Sequence, residues 1–451
     1  MTTLTQLKRL GLFDARVPRY TSYPTAPHFA GGVGPAQTED WIRSIPPGGS
    51  VSLYIHIPFC RRLCWFCACR TQGTATAAPV AAYVETLKQE LATIRDLLPQ
   101  GVQIEHLHWG GGTPTLLSAD MIADLTDSIR DAAPLQDDAV FSVEIDPNEV
   151  DQERIDALAR AGMTRASIGV QDFDPEIQET IGRPQSYETT KAAVDGLRAA
   201  GITSLNVDIL YGLPHQTVER ISDSVQLLLS LNPDRVALFG YAHVPWMAKR
   251  QAMIPTDALP APEERLTLFE TAKRLFEWDG YVEIGIDHFA RPGDALEIAQ
   301  RAGTMRRNFQ GYTEDKSETL IGVGASAISR YPQGYAQNDA STSAYQAAVR
   351  GGSLATKRGH AFTADDLLRG RIVEKLMCDF AVDFDAVAAE LGRNPAEVRA
   401  TAAGLDAAFP MMIAHQGSRI EIREEGKPLA RMIAKHFDAY EMAKSGHSTA
   451  I

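Results

Sequence analysis

From residue 51 to about residue 242 the chain repeats one unit. A short β-rich run ends in Gly, Pro or Asp, and a stretch with apolar residues every three or four positions follows. The β-like runs are VSLYIHIP, IEHLHWG, FSVEIDP, RASIGVQDF, SLNVDILYGLP and RVALFGYA. Between them stand helical patterns such as PVAAYVETLKQELATIRDLL, ADMIADLTDSIRDAA, QERIDALARAG and ETTKAAVDGLRAAG, often stopped by Gly. Alternating strands and helices build a parallel sheet. Six units are too few for a closed eight-stranded barrel and suit an open α/β one, a partial (β/α)6 barrel. Ligands gather at the C-terminal ends of such strands. Here those ends read Pro58-Phe59-Cys60, Gly110-Gly111-Gly112-Thr113, Glu144-Ile145-Asp146, Gln171-Asp172-Phe173, Asp208 and Tyr241-Ala242-His243, so one shared site is expected there.

Three regions are expected. Residues 1–45 form an N-terminal arm, in which VPRYTSYPTAPHF carries too many aromatic and apolar residues for a disordered tail. Residues 46–345 form the barrel, with a seventh β-like run, YVEIGIDHFARP, after a helix around Arg265–Trp278, then RRNFQGYT and IGVGASAIS. Residues 346–451 form a mainly helical domain: TADDLLRGRIVEKLMCDF, DFDAVAAELG and PAEVRATAAGLDAAF read as helices, MMIAHQGSRIEI as a hairpin and KPLARMIAKHFDAYEMA as a last helix. That order resembles a winged helix. Acidic residues outnumber basic ones beyond Ala361 and no basic recognition helix appears, which favours a structural or substrate-covering role.

A net charge of −13 argues against a general nucleic-acid binder. The polar start MTTLTQLKRLGLFDARVPRY has no apolar segment of signal-peptide type, and no uncharged apolar run is long enough to span a membrane. A cytoplasmic, reducing location is expected. There, clustered cysteines bind metal or do redox chemistry rather than form disulfides.

The cysteines are clustered. Four of the five, Cys60, Cys64, Cys67 and Cys69, fall within YIHIPFCRRLCWFCACRTQ, spaced C-x3-C-x2-C-x-C. Structural zinc usually takes two ligand pairs from separate segments, and a second pair is missing. A thioredoxin-type Cys64-x2-Cys67 pair leaves Cys60 without a role. A cubane iron–sulfur cluster normally takes four thiolates. Three on a tight loop leave one iron open to a ligand that chelates through an amine and a carboxylate.

C-x3-C-x2-C after the first strand, with GGGTP at the end of the second, resembles the radical SAM superfamily. PRYTSYPTA, CWFCAC, LHWGGGTPT, SIGVQDF, DILYGLPHQT, LNPDRVALFGYAHVP, DHFARP, RNFQGYT and GASAIS are similar, within it, to the oxygen-independent coproporphyrinogen III oxidase (dehydrogenase) family, from Pro18 to about Ser329. Trp65 and Ala68 stand where tyrosine and glycine are common, and the tail from Pro410 matches least.

The resemblance implies an enzyme that converts two propionates of coproporphyrinogen III to vinyl groups without oxygen, giving protoporphyrinogen IX in haem biosynthesis. A 5′-deoxyadenosyl radical made from S-adenosylmethionine (SAM) would start each decarboxylation. It implies that Cys60, Cys64 and Cys67 ligate a 4Fe-4S cluster, while Cys69 does not. Two SAM molecules are implied: Tyr54, Phe66, Gly111, Glu144 and Ile328 for the cluster-bound one, and Gly112, Thr113, Gln171, Arg183, Asp208 and Ala242 for the second. No catalytic side chain is assigned. An electron donor for the cluster is expected as a partner, and the chain is expected to act as a monomer, without nucleic acid or membrane.

The alternatives are a haem-carrying chaperone, against which Cys69 and the stretch Arg19–Tyr23 speak, and a radical SAM oxidoreductase on another tetrapyrrole. His56, His106, His108, His243 and His288 read as buried hydrogen-bonding groups rather than ligands. Arg19, Arg61, Arg62, Arg291 and Arg307 are the candidates for holding propionates, Arg19 and Arg291 foremost, because guanidinium pairs bidentately with carboxylate. The arm is expected to close over the substrate, with Tyr20 or Tyr23 against the macrocycle. Cys378 reads as a small buried apolar residue.

Overall fold

The computed structural model describes residues 3–441 and 450–451. Ser50–Ile57 (β1), Gln103–Gly111 (β2), Leu135–Ile145 (β3), Arg165–Gln171 (β4), Ser204–Tyr211 (β5) and Arg235–Gly240 (β6) lie side by side in chain order, all parallel. Helices connect them, and Ser118, Asp151, Ser186 and Thr217 cap four of these by accepting from an N–H of the first turn.

The sheet is larger than six strands. Val282–Ile284 (β7) and His288–Ala290 (β8) form a hairpin whose second strand pairs antiparallel with β6. The expected seventh strand is therefore this hairpin, bent at Gly285. A seventh parallel strand comes instead from Leu320–Val323 (β9), which lies beside β1 with Tyr54 opposite Gly322. Ile328–Tyr331 (β10), Gly334–Asn338 (β11) and Thr356–Ala361 (β12) continue antiparallel from it. The order is β12-β11-β10-β9-β1-β2-β3-β4-β5-β6-β8-β7, and β12 and β7 stand at opposite ends of it. The barrel is open. Because β12 is still hydrogen-bonded into the sheet, the sheet runs on to Ala361, past residue 345.

The two faces of the strands differ in chemistry. Val51, Leu53, Ile55 and Ile57 of β1 point outward into one apolar core with Val84, Leu87, Leu91 and Ile94 of the helix Ala78–Leu97. Fully burying each such side chain contributes about 1.5–3 kcal/mol. Ser52, Tyr54 and His56 alternate with them and face the lumen, as do His106 and His108 of β2, Glu144 of β3, and Asn206 and Asp208 of β5. A closed barrel fills its lumen with branched apolar side chains. This lumen is polar. Its floor is closed by the hairpin Arg306–Asn308/Gly311–Thr313 and the acids after it: Glu314 bridges Arg165 and Arg235, each at 3.1 Å, and Asp315 accepts from Ser52.

The C-terminal domain packs the helix Ala364–Asp379 against a three-stranded sheet (Ala381–Asp383, Arg419–Ile422, Ile413–Gln416) and short helices. The last expected helix is a 3-10 turn, Glu424–Leu429, which holds Pro428, followed by Ala430–Lys435; part of the expected span lies outside the described residues. Among the described residues no helix is long and apolar enough to cross a membrane.

The arm divides in two. Leu7, Leu12, Phe13, Val17, Tyr20 and Tyr23 join the core of the C-terminal domain, whereas Trp41, Ile42 and Ile45 join that of the barrel. The Tyr20 hydroxyl donates to Asp438 at 3.0 Å, and the Ala439 N–H donates to the Tyr23 hydroxyl at 2.9 Å. Both rings are thus committed to the C-terminal domain. This corrects the expectation that the arm is a lid with a tyrosine against the substrate: it is a docked strap.

Candidate active site

The cysteine loop hangs from the end of β1. Phe59–Cys60 pairs in parallel with Gln72–Gly73, so the loop leaves and returns at one place. Other elements hold its middle. The Trp65 N–H donates to Ile181 O at 2.9 Å. Gln251 donates through one amide nitrogen to Phe66 O at 2.7 Å and to Ala242 O at 3.0 Å, and Arg250 donates to Cys69 O at 3.2 Å. Phe66 and Trp65 pack onto Ile177, Ile181 and Leu213.

Burial pushes the Cys60 thiol up to about 11 against a hydrogen bond from Thr113. It raises Cys64 too, against the nearby charge of Arg183. Cys67 is pulled below an ordinary thiol, chiefly by its hydrogen bond with Cys69. Metal binding must therefore displace protons from at least two of the thiols. The spacing discriminates between metals. Among the described residues, Glu105, His106 and Asp315 on the barrel floor are the one set of three ligand-type groups within 4.8 Å of one another. The three thiol sulfurs are not all within that distance of one another. A single tetrahedral zinc needs sulfurs about 4 Å apart, whereas a cubane gives each thiolate its own iron. The donor set fits a cluster.

The glycine run of β2 fits closely under this loop. The Gly112 N–H donates to Ile57 O and the Thr113 N–H to Phe59 O, both at 2.8 Å. Gly111, at φ +109°, leaves no room for a side chain, since a Cβ there would lie 2.5 Å from the His56 ring. Its N–H donates to Glu144 Oε2 at 2.9 Å. Burial alone would raise the Glu144 carboxyl, but His108 and the Gly111 N–H outweigh it and hold it below the usual range. Tyr54 stacks on His108 with ring centroids 5.7 Å apart, and its hydroxyl meets His56 Nδ1 at 2.9 Å. Ile328, at the start of β10, folds its backbone against Gly322, the partner of Tyr54. Tyr54, Gly111, Glu144 and Ile328 thus sit together around the ends of β1–β3 and β9–β10, with Phe66 on the loop.

The other predicted residues lie towards β4–β6. Gln171 sits at a bulge against β5 with φ +71°. Asp208, opposite Gly169, accepts from Asn206 at 2.9 Å, and burial raises it to about 6. Arg183 is wedged among Cys64 Sγ (3.4 Å), Asp146 Oδ2 (3.2 Å) and Gly169 O (3.0 Å). Ala242 presents a carbonyl already bonded to Gln251.

Arg291 is not in this group. Its N–H donates to Asp234 O and its side chain to Pro233 O and Asn232, at the opposite end of β6 from the site. The antiparallel β8 carries it there. Arg61 and Arg62 are exposed on the cysteine loop, and Arg307 is buried over the Tyr312 ring at 4.2 Å. Two contributors, Asp146 and Gln251, received no role from sequence reasoning. Asp146 ends a predicted strand and was within reach of that signal. Gln251 lies in the aperiodic segment 243–259 and carries none.

The radical SAM superfamily model matches residues 54–228. The oxygen-independent coproporphyrinogen III oxidase of Paracoccus denitrificans is 60% identical over 451 residues, all of both chains. The enzyme of that name from Escherichia coli is 37% identical over 432 residues, covering 95% of this chain and 94% of its own. The solved structure of the E. coli coproporphyrinogen III oxidase, described as a radical SAM enzyme, superimposes with a TM-score of 0.90 at 36% identity, covering 95% of this chain and 100% of that one. With the three-thiol loop at the end of β1, the glycine run under it and a likeness that takes in arm and C-terminal domain, the chain belongs to the oxygen-independent coproporphyrinogen III oxidase family of radical SAM enzymes.

Proposed function

We propose that this chain converts two propionates of coproporphyrinogen III to vinyl groups, giving protoporphyrinogen IX. Each conversion removes a hydrogen atom, one electron and CO2, so a one-electron acceptor is needed besides the cluster's own electron donor. The observation that carries the reading is the likeness over the whole length to relatives of that name, because the barrel alone would leave the substrate open. When bound, the cluster and SAM supply a hydrogen-abstracting radical.

The residues of the chain hold, orient and shield. Cys60, Cys64 and Cys67 bind the cluster, and Arg183 favours the thiolate of Cys64 by its charge. Tyr54, Phe66, Gly111, Glu144 and Ile328 would hold the cluster-bound SAM, with the lowered carboxyl of Glu144 accepting from an ammonium or hydroxyl. Gly112, Thr113, Gln171, Arg183, Asp208 and Ala242 would take the second SAM molecule, which the polar lumen supports by offering acceptors towards β5. The chain would work as a cytoplasmic monomer. Confining the reacting centre among fixed groups supplies orientation and keeps water away from the radical.

Anaerobic incubation of the reconstituted protein with coproporphyrinogen III, SAM and a reductant, analysed for protoporphyrinogen and CO2, tests the proposal. Two CO2 per macrocycle are expected. SAM cleavage without decarboxylation, or haem retained through purification, would turn the reading towards another tetrapyrrole or a chaperone.

A further inference from the structure

The helix Ala78–Leu97 covers β1 from outside with Val84, Leu87, Leu91 and Ile94, and on the same buried face it carries Glu90, only 2% exposed. An acid in such a core must find hydrogen-bond donors. Glu90 finds three. Its Oε2 accepts from the Gly324 N–H at 2.8 Å and from the Tyr345 hydroxyl at 2.6 Å, and its Oε1 accepts from the Asn338 amide at 2.8 Å. All three donors are neutral, so none balances a charge, and burial pushes the Glu90 carboxyl up against their combined pull. An apolar residue would fill the place at less cost if packing were its only task.

The bonds converge on one piece of backbone. Gly324 opens the turn between β9 and β10, and the Asn338 nitrogen that donates to Glu90 also donates to Gly324 O at 3.0 Å. Both polar groups of Gly324 are thus fixed, one by Glu90 and one through Asn338. Two helical turns before Glu90, the Tyr83 hydroxyl donates to His56 O at 2.9 Å and accepts from the Ala325 N–H at 2.8 Å. The turn is pressed onto the end of β1: Gly324 has φ +107°, and a Cβ there would lie 2.6 Å from His56 O and 2.7 Å from the Tyr83 hydroxyl. Ser326 Oγ then stands 3.4 Å from His56 Nε2, and Ile328 follows at the start of β10. The His56 ring is the one that meets the Tyr54 hydroxyl and bars a side chain at Gly111. From outside the sheet, Tyr83 and Glu90 therefore fix the end of β1, the β9–β10 turn and, through His56, the glycine run.

We propose that Glu90 and Tyr83 are positioning residues for the cluster-bound SAM, holding the turn Gly324–Ile328 against the end of β1 so that Ile328, Tyr54 and Gly111 keep one arrangement. Both come from the helix outside the sheet, and each acts through backbone groups rather than on the ligand. A carboxylate suits the task because it offers an acceptor to every donor around it. An amide of the same size offers one oxygen and turns an N–H against the remaining donor. The proposal rests on the SAM site named under the proposed function.

The test separates positioning from stability. Cluster-loaded protein is titrated with SAM, with affinity read by equilibrium dialysis and by the paramagnetic resonance of the reduced cluster. Hydrogen exchange of peptides covering residues 320–331 is followed in the same proteins without SAM. The proteins are wild type, Glu90→Gln, Tyr83→Phe and, as a comparator, Leu125→Ala, which opens the same apolar core under the helix Ala119–Ala132. Glu90→Gln should weaken SAM binding about tenfold and speed exchange in the turn while keeping the cluster absorbance. Tyr83→Phe should move both readouts in the same direction, and it decides the matter should Glu90→Gln not fold. Leu125→Ala should lower the melting temperature at least as far and leave both readouts unchanged. Unchanged SAM affinity in Glu90→Gln, or equal weakening in Leu125→Ala, would overturn the positioning role. Wild type that binds no SAM would instead refute the reading of the site itself.

Discussion

One guanidinium nitrogen of Arg183 lies 3.4 Å from the sulfur of Cys64 and 3.2 Å from a carboxylate oxygen of Asp146. A positive charge beside a ligand sulfur lowers the cost of adding an electron to the cluster it holds, because net charge and hydrogen bonds to sulfur set such potentials. Arg183→Ala should therefore retain a cluster with a more negative reduction potential, read by redox titration with paramagnetic resonance. If Arg183 serves the second SAM alone, the potential will not move.

Cys60→Ser, Cys64→Ser and Cys67→Ser should each abolish the iron–sulfur absorbance, since three thiolates leave none spare. Cys69→Ser should keep most of it. The contact of residue 69 with the Cys67 sulfur includes its backbone N–H at 3.4 Å, which serine preserves. A colourless Cys69→Ser protein after anaerobic reconstitution would make Cys69 a ligand.

Gln251 satisfies three buried backbone groups: the carbonyls of Phe66 and Ala242, and the N–H of Val244 at 2.6 Å. Leaving a buried polar group without a partner costs about 1–3 kcal/mol. Gln251→Ala should lower the melting temperature by several degrees. It should also speed cluster loss in air, because the cysteine loop loses a tie to the segment that follows β6. The two effects should appear together, and a stable protein with a normal cluster would show that water replaces the amide.

Burial raises Asp208 to about 6, so it is ionised at neutral pH and protonated below that value. Between the ordinary carboxylate range and pH 6 the folded chain holds a proton that the unfolded chain has lost. Stability contributed by this group therefore declines as pH rises through that window. Ligand binding runs the other way: SAM stoichiometry should fall as pH drops through about 6. Asp208→Asn should flatten that pH profile while lowering occupancy throughout. Equilibrium binding from pH 5 to 8 reads both.

Leu12 is fully buried in the core that the arm shares with the C-terminal domain. Leu12→Ala should cost about 2–5 kcal/mol and lower the melting of that domain while sparing cluster assembly on the barrel. Deleting residues 1–24 should expose that core outright, so loss of activity in such a truncation would report unfolding rather than an open lid.

The strand ends were legible because parallel strands write themselves as apolar runs closed by Gly, Pro or Asp, and the cysteine spacing is local. Cys60, Gly111, Glu144 and Asp208 could all be placed at one mouth from those signals. Direction was harder. YVEIGIDHFARP has strand composition, yet only the turn at Gly285 makes it a hairpin and sends Arg291 to the far end of β6. Gln251 was invisible for another reason: it lies in the aperiodic segment between β6 and the helix Pro262–Trp278. Its contact with Phe66, 185 positions earlier, depends on packing that no local pattern encodes. Tyr20 and Tyr23 carried an aromatic signal that named a buried partner but not which one.

The strap has a consequence for how the chain is made. Leu7, Leu12, Phe13 and Val17 leave the ribosome long before their partners, among them Ile372, Leu376 and Ile433. At about 5–20 residues per second the wait is on the order of tens of seconds, while the whole barrel is being built. During that interval an apolar segment stands uncovered beside a loop of reduced thiols. Nascent chains of this protein should therefore engage chaperones through their first twenty-odd residues, and the C-terminal domain should be the last unit to become protease-resistant.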